Sequence, residues 1–227
     1  MGASGTGKGL WVKQQLRELK PTRLVVWDFL DEYGQHAGAA RSLELVRRAM
    51  IEAGADGPLR VRYLPRGSGE KQLRAEFEQL CRLVYAWEAT TFVAEELANV
   101  TTPGWAPPSW RKMTTSGRHA GVHIIGTSQT PSLIDKTFLG NATLIHTSAL
   151  REHAHRQAVA RAMDIEIGEL ATLPRLHWIE RDFDSGELRR GRVALPRKRQ
   201  PAATPTDPVA APIPRGDKGT GSGKGGA

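Results

Sequence analysis

The chain has 227 residues, 39% apolar and 25% charged, with a formal net charge of +8, which suits one domain of ordinary size with its own core plus a tail. Its longest apolar runs are four or five residues, such as LVYAW at 83–87, far short of the roughly 20 a membrane helix needs, and no secretory signal is read at the start. One cysteine, Cys81, excludes a disulfide framework and fits a reducing cytoplasm, while the basic excess favours polyanion partners, nucleic acid first.

The chain opens with MGASGTGKGL, in which Gly2, Gly7 and Lys8 meet the pattern G-x-x-x-x-G-K. Glycines let backbone N–H groups curl around phosphate oxygens, a lysine reaches the outer phosphates, and the positive end of the following helix points at the charge. Residues 7–19 have the apolar spacing of that helix, with Leu10, Trp11, Leu16 and Leu19 on it. Gly2, Ala3, Ser4, Gly5, Thr6, Gly7, Lys8 and Gly9 are therefore the expected nucleotide cradle. Two features depart from a standard loop. Gly9 stands where Ser or Thr would offer a hydroxyl to Mg²⁺, so the metal is expected to keep an extra water or to take another oxygen. A phosphate loop also joins a strand to a helix, and only Met1 precedes Gly2. The expectation is that roughly ten residues of apolar strand lie upstream in the natural chain.

Residues 22–28, TRLVVWD, read as a short buried strand and residues 42–54 as a helix ending in glycine. Residues 59–65 alternate like a strand, and residues 70–89 form a long amphipathic helix. TTFVAEEL at 90–97 is a strand running into Glu95 and Glu96. In a nucleotide site such a strand presents acids to the metal and the attacking water. Glu95 would then sit near Mg²⁺ and Glu96 would orient or deprotonate the water; alternatively, the two acids cap the next helix. Residues 101–110 are a loop rich in proline and tryptophan, in which Trp105 and Trp110 would pack on the domain rather than stack on bases.

Residues 121–129 and 142–148 are two more buried strands. Gln129 ends the first, where open α/β sheets collect ligands, so it is placed as a γ-phosphate or water sensor. Arg118, just before that strand, is the first candidate for an arginine acting on a neighbour's nucleotide, with Arg156 the second. Residues 151–163 are helical; His153 and His155 lie two apart, which splays them on a helix and argues against a metal site. Residues 176–195 read as a β-hairpin turning at 184–186. From Pro196 to the end the composition shifts to Pro, Gly, Ala, Thr and Lys, with six Lys or Arg against two Asp. This is read as a disordered basic tail at 196–227, following a domain at 1–195. The tail's own GTGSGKGG lacks a glycine five places before its second-last match and has no helix after it, so it reads as linker. Alternating helices and near-continuous apolar strands predict an α/β fold with a mostly parallel sheet covered on both faces.

Together, GASGTGKG, LVVWDFLDEYG, TTFVAEEL and GRHAGVHIIGTSQTPSLID resemble the FtsK/HerA superfamily of P-loop ATPases, over about residues 2–148. The compact size most resembles that superfamily's small viral genome-packaging ATPases. The resemblance implies a three-layer P-loop sandwich of the additional-strand class. It implies ATP and Mg²⁺ as cofactors, a homo-oligomeric ring (often a hexamer) and double-stranded DNA driven through its pore. It implies capsid vertex or portal proteins as further partners, and the host cytoplasm or a virion vertex as location. Carried over by position, Lys8 binds phosphates, Glu95 takes the place of an aspartate near the metal, Glu96 is the catalytic acidic residue and Gln129 the sensor. Two rival readings are a conjugation or chromosome-transfer ATPase, and a nucleotide switch or scaffold that has lost turnover because Gly9 offers no hydroxyl.

Overall fold

The computed structural model describes residues 1–67 and 69–193. The tail expected at 196–227, and the boundary before it, lie outside the described residues. Strands β1 (Arg23–Trp27), β2 (Gly38–Ala40), β3 (Leu59–Tyr63), β4 (Thr91–Ala94) and β5 (His123–Gly126) form one sheet in the order β2-β3-β1-β4-β5. Every pair in it is parallel, with Val25 opposite both Val61 and Phe92, and Phe92 opposite Ile124. β1 and β4 are buried along their whole length, which is why they read as unbroken apolar runs rather than as alternating ones.

The period of two divides the sheet's side chains between two faces. Val25, Trp27, Phe92 and Ala94 join a cluster with α2 (Leu43–Ala53), α3 (Glu70–Trp87) and α4 (Pro108–Ser116), centred on Phe77, Leu80, Trp110 and Met113. Leu24, Val26, Val93 and Ile125 instead meet Val12 and Leu16 of α1 (Lys8–Leu19). Helices on both faces of a parallel sheet make the three layers expected.

Strands β6 (Leu144–Ser148), β7 (His177–Asp182) and β8 (Leu188–Arg192) form a second, antiparallel sheet in that order. The hairpin β7–β8 is where the sequence placed it, but β6 pairs with that hairpin and not with the parallel sheet. α6 (His153–Met163) and α7 (Ile167–Ala171) close over it through Val159, Met163, Leu170 and Ile179. β2, α4, α5 (Lys136–Gly140) and α7 were not legible as elements. β2 is three small residues with no pattern to show, and α4 hides in a proline-rich stretch, although Pro108 suits a first helical turn.

Candidate nucleotide site

The glycine-rich stretch runs along the edge of β6 into α1. Its Gly2 N–H donates to the Ser128 carbonyl at 3.3 Å, and its Ala3 N–H to the Ala149 carbonyl at 3.1 Å. Gly2 has φ +152° and Gly7 φ +108°, conformations that side chains rarely adopt. Space enforces the same choice. A Cβ on Gly2 would lie 2.9 Å from the hydroxyls of Ser148 and Thr6, and one on Gly7 would lie 2.8 Å from Val193. Thr6 turns its hydroxyl inward to the Ala3 carbonyl at 2.7 Å, pinning the loop. Gly7 caps α1 with no side-chain bond. The amides of Gly5, Gly7, Lys8 and Gly9 find no acceptor among the described residues. Orphan amides at a helix start, together with an ammonium, form a cradle for phosphate.

Three of the residues expected at the site converge. The Lys8 ammonium is ion-paired with Glu96, both side chains only about a tenth exposed. Gln129 reaches the same carboxylate twice, through its backbone N–H to Oε2 at 3.2 Å and its side-chain amide to Oε1 at 3.1 Å. Glu96 sits at the end of β4 with φ +48°, a left-handed backbone unusual for a side chain as long as glutamate. Such conformations persist where the surroundings over-determine them. Here the Thr127 hydroxyl and carbonyl hold the turn, accepting from Glu96 and Leu97.

Glu95 is buried beside this group and accepts from the Leu30 N–H at 3.2 Å. Burial pushes its carboxyl up to about 7; the Leu30 bond and Lys8 oppose that shift, and Asp28 and Glu32 add to it. The residue the sequence reading left without a role is Asp28. It is fully buried at the end of β1, accepts from the amides of Glu32 and Tyr33 at 2.8 and 3.1 Å, and pairs with Arg62 at 2.8 Å. It therefore shapes the turn that carries Glu32. Its signal was present in LVVWD, an apolar strand ending in an acid as TFVAEE does. Glu32 Oε2 lies 3.2 Å from where a Cβ on Gly9 would sit and holds Lys13 at 2.8 Å. Among the described residues no three His, Cys, Asp or Glu cluster as a metal cage. Magnesium there would take most of its ligands from phosphate and water, its ordinary habit in nucleotide sites.

The arginines lie elsewhere. Arg118 is exposed in the turn before β5, at the strand's amino end, whereas Glu96 and Gln129 follow the carboxyl ends of β4 and β5. Arg156 donates to the Leu150 carbonyl at 3.1 Å and also to that of Arg151, so it braces the start of α6. Trp110 is core and Trp105 is partly exposed. His153 is exposed while His155 is buried against Ser132 at 2.7 Å, the divergence their spacing required.

No established protein-family profile matches the chain. Over 182 residues it is 28% identical to "Protein P9" of Pseudoalteromonas phage PM2, covering 77% of this chain and 79% of that protein. In three dimensions it is similar to the genome-packaging NTPase B204 of Sulfolobus turreted icosahedral virus 2 in complex with AMPPCP. That match has a TM-score of 0.66 and 18% identity and covers 86% of this chain and 95% of that one. It is also similar to the bacterial conjugative coupling protein TrwB, with a TM-score of 0.50 and 14% identity, covering 69% of this chain and 45% of that one. The fold is the α/β P-loop NTPase fold that it shares with these solved structures.

Proposed function

We propose that this chain is an ATP-driven motor that moves double-stranded DNA, and that it packages a viral genome. The observation that carries the reading is the convergence of Lys8, Glu96 and Gln129 at the carboxyl ends of parallel strands, beside a cradle of unpaired amides. The similarity to a packaging NTPase solved with an ATP analogue supports it.

On this reading the loop amides and Lys8 hold the β- and γ-phosphates; Glu95 would help to hold a Mg²⁺ ion, which would supply charge neutralisation at the phosphoryl group. Lys8 exchanges Glu96 for phosphate oxygens, and that exchange frees the Glu96 carboxylate. Glu96 then takes a proton from the water that attacks the γ-phosphorus, ADP leaves, and phosphate is released. Gln129 keeps the carboxylate oriented. Arg118 is assigned to a neighbouring protomer's nucleotide in a ring, a hexamer by the family resemblance. The basic surface holds DNA phosphates without reading sequence, and capsid vertex or portal proteins are the further partners proposed.

The test is ATP hydrolysis with and without duplex DNA, at two salt concentrations. Hydrolysis stimulated by duplex DNA and weakened by salt is expected. Turnover indifferent to DNA overturns the motor. Gly9 favours one second reading, a nucleotide switch, for which tight ATP binding without hydrolysis would be the result.

A further inference from the structure

Gly9 leaves a space in the first turn of α1, and a side chain from elsewhere in the chain reaches it. Apart from neighbouring backbone, a Cβ on Gly9 meets one atom within 4 Å among the described residues, Glu32 Oε2 at 3.2 Å. A phosphate loop ordinarily sets a Ser or Thr hydroxyl at this position for the metal. Here a carboxylate borders the same space.

The turn after β1 holds Glu32 there. Asp28, wholly buried, accepts from the amides of Glu32 and Tyr33 at 2.8 and 3.1 Å, and Glu95 accepts from the amide of Leu30 at 3.2 Å. Arg62 pairs with both Asp28 and Asp31 and fastens the turn to β3. Asp28 is thereby occupied, whereas Glu32 has room for another partner. Its Oε2 holds Lys13 at 2.8 Å, its side chain is 44% exposed, and its Oε1 has no partner among the described residues. Such an exposed pair contributes little and is readily shared.

Two observations say what the second partner is. Glu32 stands at the rim of a cradle whose free amides and Lys8 gather phosphate, and like charges repel there unless a cation lies between them. Independently, the Tyr33 hydroxyl is wholly buried beside Glu95 and closes no full hydrogen bond. Burial first, and then the charges of Glu95, Asp28 and Glu32, keep that phenol protonated. Buried donors are almost always paired, so an oxygen that the chain does not supply belongs on the acidic side of the site.

We propose that Glu32 supplies the metal-side oxygen that Gly9 does not, and that Glu32 and Glu95 together hold a Mg²⁺ ion against the phosphates of a bound nucleotide. One or two carboxylates with phosphate and water is the ligand set magnesium takes in nucleotide sites. Asp28 and Arg62 are positioning residues, acting through the turn. The inference rests on the nucleotide reading above and adds to it the residue that offsets the missing hydroxyl.

The test needs no turnover. Coupling between two ligands is reciprocal, so what Glu32 contributes to metal affinity appears as nucleotide affinity gained with Mg²⁺. A non-hydrolysable ATP analogue is titrated by calorimetry in Mg²⁺ and again in EDTA. In the unsubstituted chain Mg²⁺ should tighten binding at least tenfold. Glu32→Ala should reduce that gain about 10-fold without weakening binding in EDTA. Lys13→Ala breaks the same ion pair and should keep the gain. Adding Gly9→Ser to Glu32→Ala should restore most of it, since the hydroxyl returns and the 3.2 Å contact is gone. A gain unchanged in Glu32→Ala overturns the proposal and leaves the nucleotide reading standing. Equal losses in Glu32→Ala and Lys13→Ala overturn it too, because the ion pair would then be the cause. An unsubstituted chain that binds no analogue in either buffer overturns both readings together.

Discussion

Substituting Glu96 by Gln separates the two roles assigned to its carboxylate. In this structure that carboxylate is both the partner of Lys8 and the acceptor for Gln129. As general base it is worth roughly 10²–10⁴ in rate, so Glu96→Gln should lower kcat by that factor. As the partner of Lys8 it competes with phosphate for the ammonium. A hydrogen bond between charged groups contributes about 1.5–3 kcal/mol. The introduced amide keeps a neutral oxygen near Lys8, so the lower figure applies, and about 1.4 kcal/mol is tenfold in affinity. The variant should therefore bind a non-hydrolysable ATP analogue ~10-fold more tightly while hydrolysing ATP far more slowly. Isothermal titration calorimetry and phosphate release measure the two. Hydrolysis at the unsubstituted rate would refute the base assignment, and weaker analogue binding would refute the competition argument.

Three further perturbations follow from the same geometry. Gly9→Ser supplies the hydroxyl the loop lacks beside Glu32; the Mg²⁺ concentration for half-maximal turnover should fall several-fold, and an unchanged magnesium titration would count against the metal's place there. Gly2→Val sets a branched side chain at φ +152° against Ser148 and Thr6, so a cost of about 1–3 kcal/mol and loss of nucleotide binding are expected in urea melts and titrations. His146 is held at about 4, chiefly by burial, against a Glu180 bond that raises it. A folded pKa below the unfolded value of about 6.5 means stability is complete above pH 6.5 and lost as pH falls toward 4, by about 3 kcal/mol. His146→Gln should flatten that part of the stability–pH curve, and an unaltered slope in urea titrations would show that another group carries it.

What was legible in the sequence was what neighbouring residues dictate. GASGTGKG announced its loop because phosphate chemistry demands glycines and a lysine at fixed spacing followed by a helix. LVVW and TFVA announced buried parallel strands because burial on both faces leaves no polar alternation. Glu96 and Gln129 could be placed at the site because each ends such a strand. The remainder depended on residues distant in the chain. Asp28 acquired its role only when Arg62 and the amides of Glu32 and Tyr33 came to meet it. Arg156 donates to the carbonyls at 150 and 151, a contact that the helical spacing around it does not reveal. β6 reads like any central strand, and only pairing decided that its neighbour is an antiparallel hairpin. Hydrophobic periodicity carries no record of which strand edges meet, so that choice was made by tertiary packing.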